Sequence, residues 1–152
     1  VEGDRKVVAR NRKARHNYHI LETYQAGLAL QGTEVKSLRA GQVSLAEAYA
    51  DVRGDEIYLV KCHITPYTHG ASWNHDPMRP RKVLLHRREI NKLIGRITER
   101  GFTLVPLSIY FERGLAKVDL ALARGKRQYD KREDIKRRDL DREMERAASR
   151  RY

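Results

Sequence analysis

TLVPLSIYFERGLAKVDLAL, residues 103–122, carries two apolar runs separated by the tight turn Glu112-Arg113-Gly114. In the second run Val118, Leu120 and Leu122 alternate with Lys117, Asp119 and Ala121. A period of two places one set on a core face and the other toward water, so the segment predicts an antiparallel hairpin. Working toward the N-terminus, SLAEAYADV and EIYLVKCHI flank the turn Arg53-Gly54-Asp55 and predict a second hairpin, with Tyr49, Ile57, Leu59 and Ile64 as core candidates. HNYHILETYQAGLAL predicts an earlier strand through its β-favouring and apolar residues, and RKVLLH predicts a buried strand.

Helices are fewer. HRREINKLIGRITERG sets Ile90, Leu93, Ile94 and Ile97 at i, i+3, i+4 and i+7, the period of an amphipathic helix, with Gly101 to end it. TEVKSLRAG predicts a two-turn helix with Thr33 as its cap, Val35 and Leu38 on one face, and Gly41 as its stop. The stretch 65–82, TPYTHGASWNHDPMRPRK, holds three of the four prolines and reads as a long irregular loop. Short strands at close intervals, without a βαβ repeat, predict a mainly β fold: a small closed antiparallel barrel with flanking helices.

Charge is unevenly distributed. Lys and Arg number 32 against 20 Asp and Glu, a net charge of +12, which favours a polyanionic partner, nucleic acid first. Residues 5–15 hold Arg5, Lys6, Arg10, Arg12, Lys13 and Arg15 with no carboxylate, and read as a basic arm that orders on binding. The tail beyond Gly125 offers Ile135, Leu140 and Met144 as its large aliphatics, too few to offset an ordering cost of about 1–2 kcal/mol per residue, so it is expected to be disordered alone. No apolar run is long enough for a membrane span, and no signal peptide is visible. A cytoplasmic, reducing setting suits the single Cys62. The chain begins at Val1 without Met, and native residues are expected before it.

Enzymatic chemistry finds little support. Cys62, His63, His69 and His75 stand at intervals matching no recurrent metal-ligand spacing, and no P-loop, nucleophile elbow or HExxH occurs. Neither a cofactor nor a metal is expected. A metal-assisted nuclease using His63, His75 and Asp76 is the rival from another class; a general single-strand or ribosomal RNA binder is the nearer one. Asn74 to Pro77 reads more simply as a turn closed by side-chain to backbone hydrogen bonds. Trp73 either packs over the barrel or stacks on a base. Lys117 and Asp119 read equally as a solvated pair or as part of a binding face.

Longer motifs are more specific. NRKARHNY (Asn11 to Tyr18), AGLALQGTEVKSLRAG (Ala26 to Gly41), NHDP followed by RPRKVLLH (Arg79 to His86), and LARGKRQYDKRE (Leu122 to Glu133) together resemble, in the same order, the small protein B family of bacterial tmRNA-binding proteins. That resemblance implies an oligonucleotide-binding (OB-like) barrel over residues 16–123, between a basic arm at 1–15 and a basic tail at 124–152. It implies an adaptor without chemistry of its own that grips the tRNA-like domain of tmRNA. The complex, charged with alanine and carried by elongation factor Tu with GTP, enters ribosomes stalled on messages lacking a usable stop codon. The free protein is expected to be a monomer.

Carried over motif by motif, the tmRNA-facing set is Asn11, Lys13, Arg15, Gln25, Gly32, Glu34, Lys36, Ser37, Arg39, Lys82, Leu84 and Lys117. Gln25 departs from the Glu common in the family: an amide keeps a contact but loses the charge. Glu34 reads equally as charge compensation at a helix N-terminus. In the tail, Arg124, Gly125, Lys126, Tyr129, Asp130, Lys131 and Arg132 match the family motif, and Lys136, Arg137 and Arg138 follow as ribosomal RNA contacts. Tyr129 stands where some members carry His, so a proton-transfer role does not transfer. The family's tail follows the vacant mRNA path of the small subunit and becomes helical there, aided by the i, i+4 pairs Glu133–Arg137 and Asp134–Arg138.

Overall fold

The computed structural model describes residues 5–69, 73–126, 138, 140 and 142–144. Its strands are β1 (Arg5–Arg10), β2 (Tyr18–Leu28), β3 (Val43–Ser44), β4 (Tyr49–Arg53), β5 (Glu56–Val60), β6 (His63–Ile64), β7 (Arg81–Leu84), β8 (Thr103–Glu112) and β9 (Leu115–Gly125). The helices are α1 (Ala14–Asn17), α2 (Gly32–Arg39) and α3 (Arg87–Arg100). All strand pairings are antiparallel. In the main sheet β8, β4, β5, β7, β2 and β9 follow one another, and β9 pairs back onto β8, giving a ring-like sheet; β3 and β6 form a separate pair.

The hairpin read first is present. Arg113 (φ 53°) and Gly114 (φ 79°) both lie in the left-handed region, as a two-residue turn matched to the right-handed strand twist requires. Val118, Leu120 and Leu122 point into the core with Ile57, Leu59, Val83, Leu104 and Ile109. Leu38 of α2 and Ile90 and Leu93 of α3 complete that core, while Ile94 and Ile97 pack partly buried against it. Each fully buried Leu or Ile side chain contributes about 1.5–3 kcal/mol. Helix α3 ends at Gly101 in the left-handed conformation, φ 69°.

Several expectations change. Residues 5–10 are not an arm awaiting a partner: they form β1, which pairs with β8 from Arg5↔Glu112 to Arg10↔Ser108. Val8 and Ala9 give this basic segment enough apolar surface to pack on the core, and the edge of β8 supplies its hydrogen-bond partners. Tyr49, expected in the core, is 36 % exposed, because β4 directs its alternate residue Ala50 inward. Ala121, expected on the wet face, is fully buried with Val105 and Ala123 in a second cluster that Tyr18, Ile20 and Leu107 flank. RKVLLH is buried on one face only: Arg81 and Val83 point inward, while Lys82 and Leu84 point out.

The cap of α2 is Gln31, not Thr33. The Gln31 backbone N–H donates to Glu34 Oε1 at 2.7 Å, completing a capping box. Within residues 65–80, the described positions contain no helix or strand. Asn74 ties this loop together, accepting from the backbone N–H of Tyr67 and of His75 and donating to the Tyr67 carbonyl at 2.8 Å. At the other end of the ring, the Lys126 N–H donates to the Asn17 carbonyl at 2.8 Å, fixing where the tail leaves. Arg138, Leu140 and residues 142–144 have helical backbone and exposed side chains.

Candidate nucleic-acid interface

Strands β7, β2 and β9 are neighbours, and their registers set Gly27 opposite both Leu84 and Lys117. Three residues far apart in sequence thus form one row across the sheet. Gly27 sits close to its neighbour: a Cβ at this position meets the Leu84 Cβ at 3.3 Å, a tight contact to which Leu84 must give by a few tenths of an ångström. Gln25 lies two residues before Gly27 and Lys82 two before Leu84, so both share the same face. Gln25, Lys82 and Leu84 line a groove of about 500 Å³ together with Glu56, His86 and Arg87. Leu84 is 49 % exposed, which leaves its side chain open to apolar contact with a partner.

A polar network supports the Lys117 end. Gln25 Nε2 donates to the Tyr110 hydroxyl at 2.5 Å and to Glu112 Oε2 at 3.2 Å. Tyr110 in turn donates to Asp119 Oδ1 at 2.9 Å. Arg5 bonds Asp119 at 3.3 Å, and Lys117 Nζ lies 3.8 Å from Glu112. Burial of Tyr110, reinforced by its bond to Asp119 against the opposing bond from Gln25, pushes its hydroxyl to about 12, so it stays a neutral donor. Glu112 is held below the usual carboxylate range: burial acts to raise it, but Lys117, Arg5 and the Gln25 bond outweigh that.

Helix α2 contributes a second surface. Lys36, Arg39 and Gly32 are exposed, with the Lys36 ammonium 5.5 Å from the Tyr67 ring centre and the Arg39 guanidinium 4.9 Å from that of Phe111. Glu34 and Ser37, expected to face RNA, are turned inward at 0 % and 1 % exposure. The inward stripe of α2 is Glu34, Ser37 and Leu38, at helical spacing, so these two polar residues share the core-facing side. Glu34 Oε1 accepts from Arg79 and Oε2 from Arg81, each at 2.5 Å, and Arg81 is itself fully buried. Arg81 also donates to the carbonyls of Cys62 and Pro77. Sequence reading missed Arg81; its signal was parity, since it shares the inward phase of Val83.

Asn11, Lys13 and Arg15 lie around α1, at the opposite end of β2 from Gly27, roughly 30 Å along the strand. Lys13 and Arg15 are exposed, whereas Asn11 is partly buried and donates through Nδ2 to the Pro106 carbonyl at 3.0 Å. Arg124 and Gly125 pair with His19 and Tyr18, so the root of the tail meets this N-terminal group. Arg138 is exposed on helical backbone. Tyr129, Asp130, Lys131, Arg132, Lys136 and Arg137 lie outside the described residues.

His75 has structural partners. His75 Nε2 donates to the Ile64 carbonyl at 2.8 Å, which leaves Nδ1 to accept from the Thr33 hydroxyl at 2.9 Å. Cys62 is buried and its thiol is pushed up to about 11 by desolvation. Among the described residues no group of three or more His, Cys, Asp or Glu side chains could hold a metal ion. No described helix is long and apolar enough to cross a membrane.

A ring-like antiparallel sheet with a partly cationic outer face, braced by an acid–guanidinium centre, defines the class: a basic β-sheet binding protein. The family model described as "SmpB protein" matches residues 8–150, and the chain belongs to that family. It is 58 % identical over 146 residues to the SsrA-binding protein of Geobacillus thermodenitrificans (strain NG80-2), covering 96 % of this chain and 94 % of that one. Identity to the SsrA-binding protein of Salinispora arenicola (strain CNS-205) is 59 % over 150 residues, 99 % of this chain and 94 % of the other. A solved structure described as "tmRNA-SmpB: a journey to the center of the bacterial ribosome" is similar at a TM-score of 0.65 and 53 % identity, covering 84 % of this chain and 93 % of that one.

Proposed function

We propose that this chain is the tmRNA-binding adaptor of trans-translation. It binds the tRNA-like domain of tmRNA, accompanies it into stalled ribosomes, and makes or breaks no bond itself. The observation carrying this reading is the row Leu84–Gly27–Lys117, with Gln25 and Lys82 on the same face. An apolar side chain, two ammonium groups and an amide on a pleated surface match a sugar–phosphate backbone with unstacked bases. Lys36 and Arg39 extend the cationic surface on α2, and Lys13 and Arg15 extend it at the far end of β2. Glu34 acts indirectly, by seating α2 through Arg79 and Arg81, and Ser37 is buried on the same side of the helix.

In this reading the ring is an OB-like barrel, and the protein works in the cytoplasm. Its tail, from Arg124 through Arg138, enters the vacant mRNA channel and orders as a helix against ribosomal RNA. Elongation factor Tu with GTP delivers the alanyl-tmRNA complex. The deciding measurement compares affinity for the tRNA-like domain with affinity for a generic tRNA at matched salt. Markedly tighter binding to the former is expected. Equal binding at every salt concentration would sink the adaptor reading, because phosphate contacts alone do not discriminate.

A further inference from the structure

Two adjoining hollows open beside α1, of about 290 and 430 Å³, and share Asn11, Lys13 and Ala46 in their walls. The first is bordered by Arg10 and Arg12; the second by Tyr49, Asn17 and Thr103. Among the described residues no acidic side chain pairs with Arg10, Arg12 or Lys13. Among the described residues Glu47 is the single carboxylate lining either hollow. The trough is therefore cationic, and its larger half is within the size range of small-ligand pockets.

Tyr49 gives this trough an aromatic wall. It stands at the start of β4, 36 % exposed, and the Lys61 ammonium lies 5.9 Å from its ring centre. Lys61 is held at φ 55°, a left-handed conformation that glycine adopts far more readily, between the buried residues Val60 and Cys62. Backbone strain of this sort tends to persist where it positions a working side chain.

We propose that the trough beside Tyr49 is a subsite for one unstacked nucleotide of the bound RNA, its base on the Tyr49 ring and its flanking phosphates on Lys13 and Lys61. Neither Tyr49 nor Lys61 belongs to the RNA-facing set expected from the sequence. Asn17 and Thr103 supply an amide and a hydroxyl for the base edge. Base stacking on an exposed aromatic beside cations is the usual way a protein holds single-stranded RNA. This subsite extends the RNA-binding reading of the chain and rests on it.

The test uses the full chain, the tRNA-like domain of tmRNA and a generic tRNA at one salt concentration. Tyr49→Leu is expected to weaken binding to the tRNA-like domain about 5- to 100-fold, the range for loss of one stacked base, and Tyr49→Phe to restore it. Lys61→Gly is expected to weaken binding with no fall in thermal midpoint, since glycine accepts the same backbone conformation. RNA carrying 4-thiouridine is expected to photo-cross-link to the peptides containing Tyr49 or Lys61. Parental affinity in Tyr49→Leu and Lys61→Gly, or cross-links confined to the Gln25–Lys117 face, would overturn the subsite. A parental chain that binds both RNAs alike yet loses affinity on Tyr49→Leu would remove the adaptor reading and leave the subsite standing.

Discussion

Arg81 Nε donates to Glu34 Oε2 over 2.5 Å at a point where neither side chain reaches solvent. The pair locks the first turn of α2 onto β7, so the helix carrying Lys36 and Arg39 is seated by a buried ion pair rather than by apolar contact alone. Breaking such a pair leaves an uncompensated buried charge. Glu34→Ala is therefore expected to destabilise the fold by about 3–5 kcal/mol in urea unfolding. A loss below about 1 kcal/mol would show that Arg81 finds another partner.

The same carboxylate gives a pH dependence. Burial alone acts to raise the Glu34 pKa, but hydrogen bonds from Arg79, the Gln31 N–H and Arg81 outweigh it and hold the folded value below 4.5. With a lowered folded pKa, the unfolded chain takes up the proton more readily. The stabilisation is complete above pH 4.5 and is lost as pH falls through the folded value. Urea midpoints of parent and Glu34→Gln measured from pH 7 downward should converge on the acid side. Parallel profiles would remove Glu34 from the acid response.

Gln25 is suited to a place between Tyr110 and Glu112 because its amide nitrogen donates to both. Gln25→Glu replaces those donors with an acceptor facing two carboxylates, Glu112 and Asp119. The variant is expected to unfold at lower urea than the parent at pH 7 and to recover part of the difference near pH 4, where carboxylates begin to take up protons. A midpoint unchanged at both pH values would mean that Arg5 and Lys117 already absorb the added charge.

Lys117 pairs only loosely with Glu112, at 3.8 Å, and is free to turn toward a phosphate. If it makes one phosphate contact, Lys117→Gln lowers the slope of log affinity against log salt by about 1. Titration of the tRNA-like domain at several salt concentrations measures this directly. A lower affinity with an unchanged slope would assign Lys117 a role other than phosphate contact.

The β8–β9 turn supplies a stability control away from the Leu84–Gly27–Lys117 row. Arg113→Asn is expected to stabilise the chain by up to about 1 kcal/mol, because Asn tolerates the left-handed region that arginine occupies at strain. Gly114→Ala, at φ 79°, should destabilise it by about 1–2 kcal/mol. Opposite signs in thermal unfolding are the diagnostic result.

Truncation after Lys126 keeps the Lys126–Asn17 hydrogen bond and the whole ring. Affinity for the tRNA-like domain is expected to survive this cut, while peptide tagging on stalled ribosomes is abolished. Loss of RNA affinity in the shortened protein would move the tail into the primary binding site.

The exposure of part of the candidate interface agrees with its motif assignment. Lys36, Arg39, Lys82 and Leu84 were assigned by motif and stand exposed. Glu34 and Ser37 were assigned by the same motif and are buried, because a motif records which residues recur together without separating those that touch a ligand from those that hold its neighbours. Arg81 shows the converse. Its charge argued for the surface, and only its phase with Val83 pointed inward.

By itself the sequence determined the local elements: the β8–β9 hairpin, the apolar face of α3, the turn residues and the excess of positive charge. Each depends on neighbours within a few positions, where period and backbone preference act directly. Tertiary structure alone decided that Leu84, Gly27 and Lys117 form one row, that residues 5–10 complete the edge of β8, and that Tyr49 borders a cationic trough. A local period tells which side chains share a face. Which faces meet is decided by long-range strand pairing and by the burial that repays it.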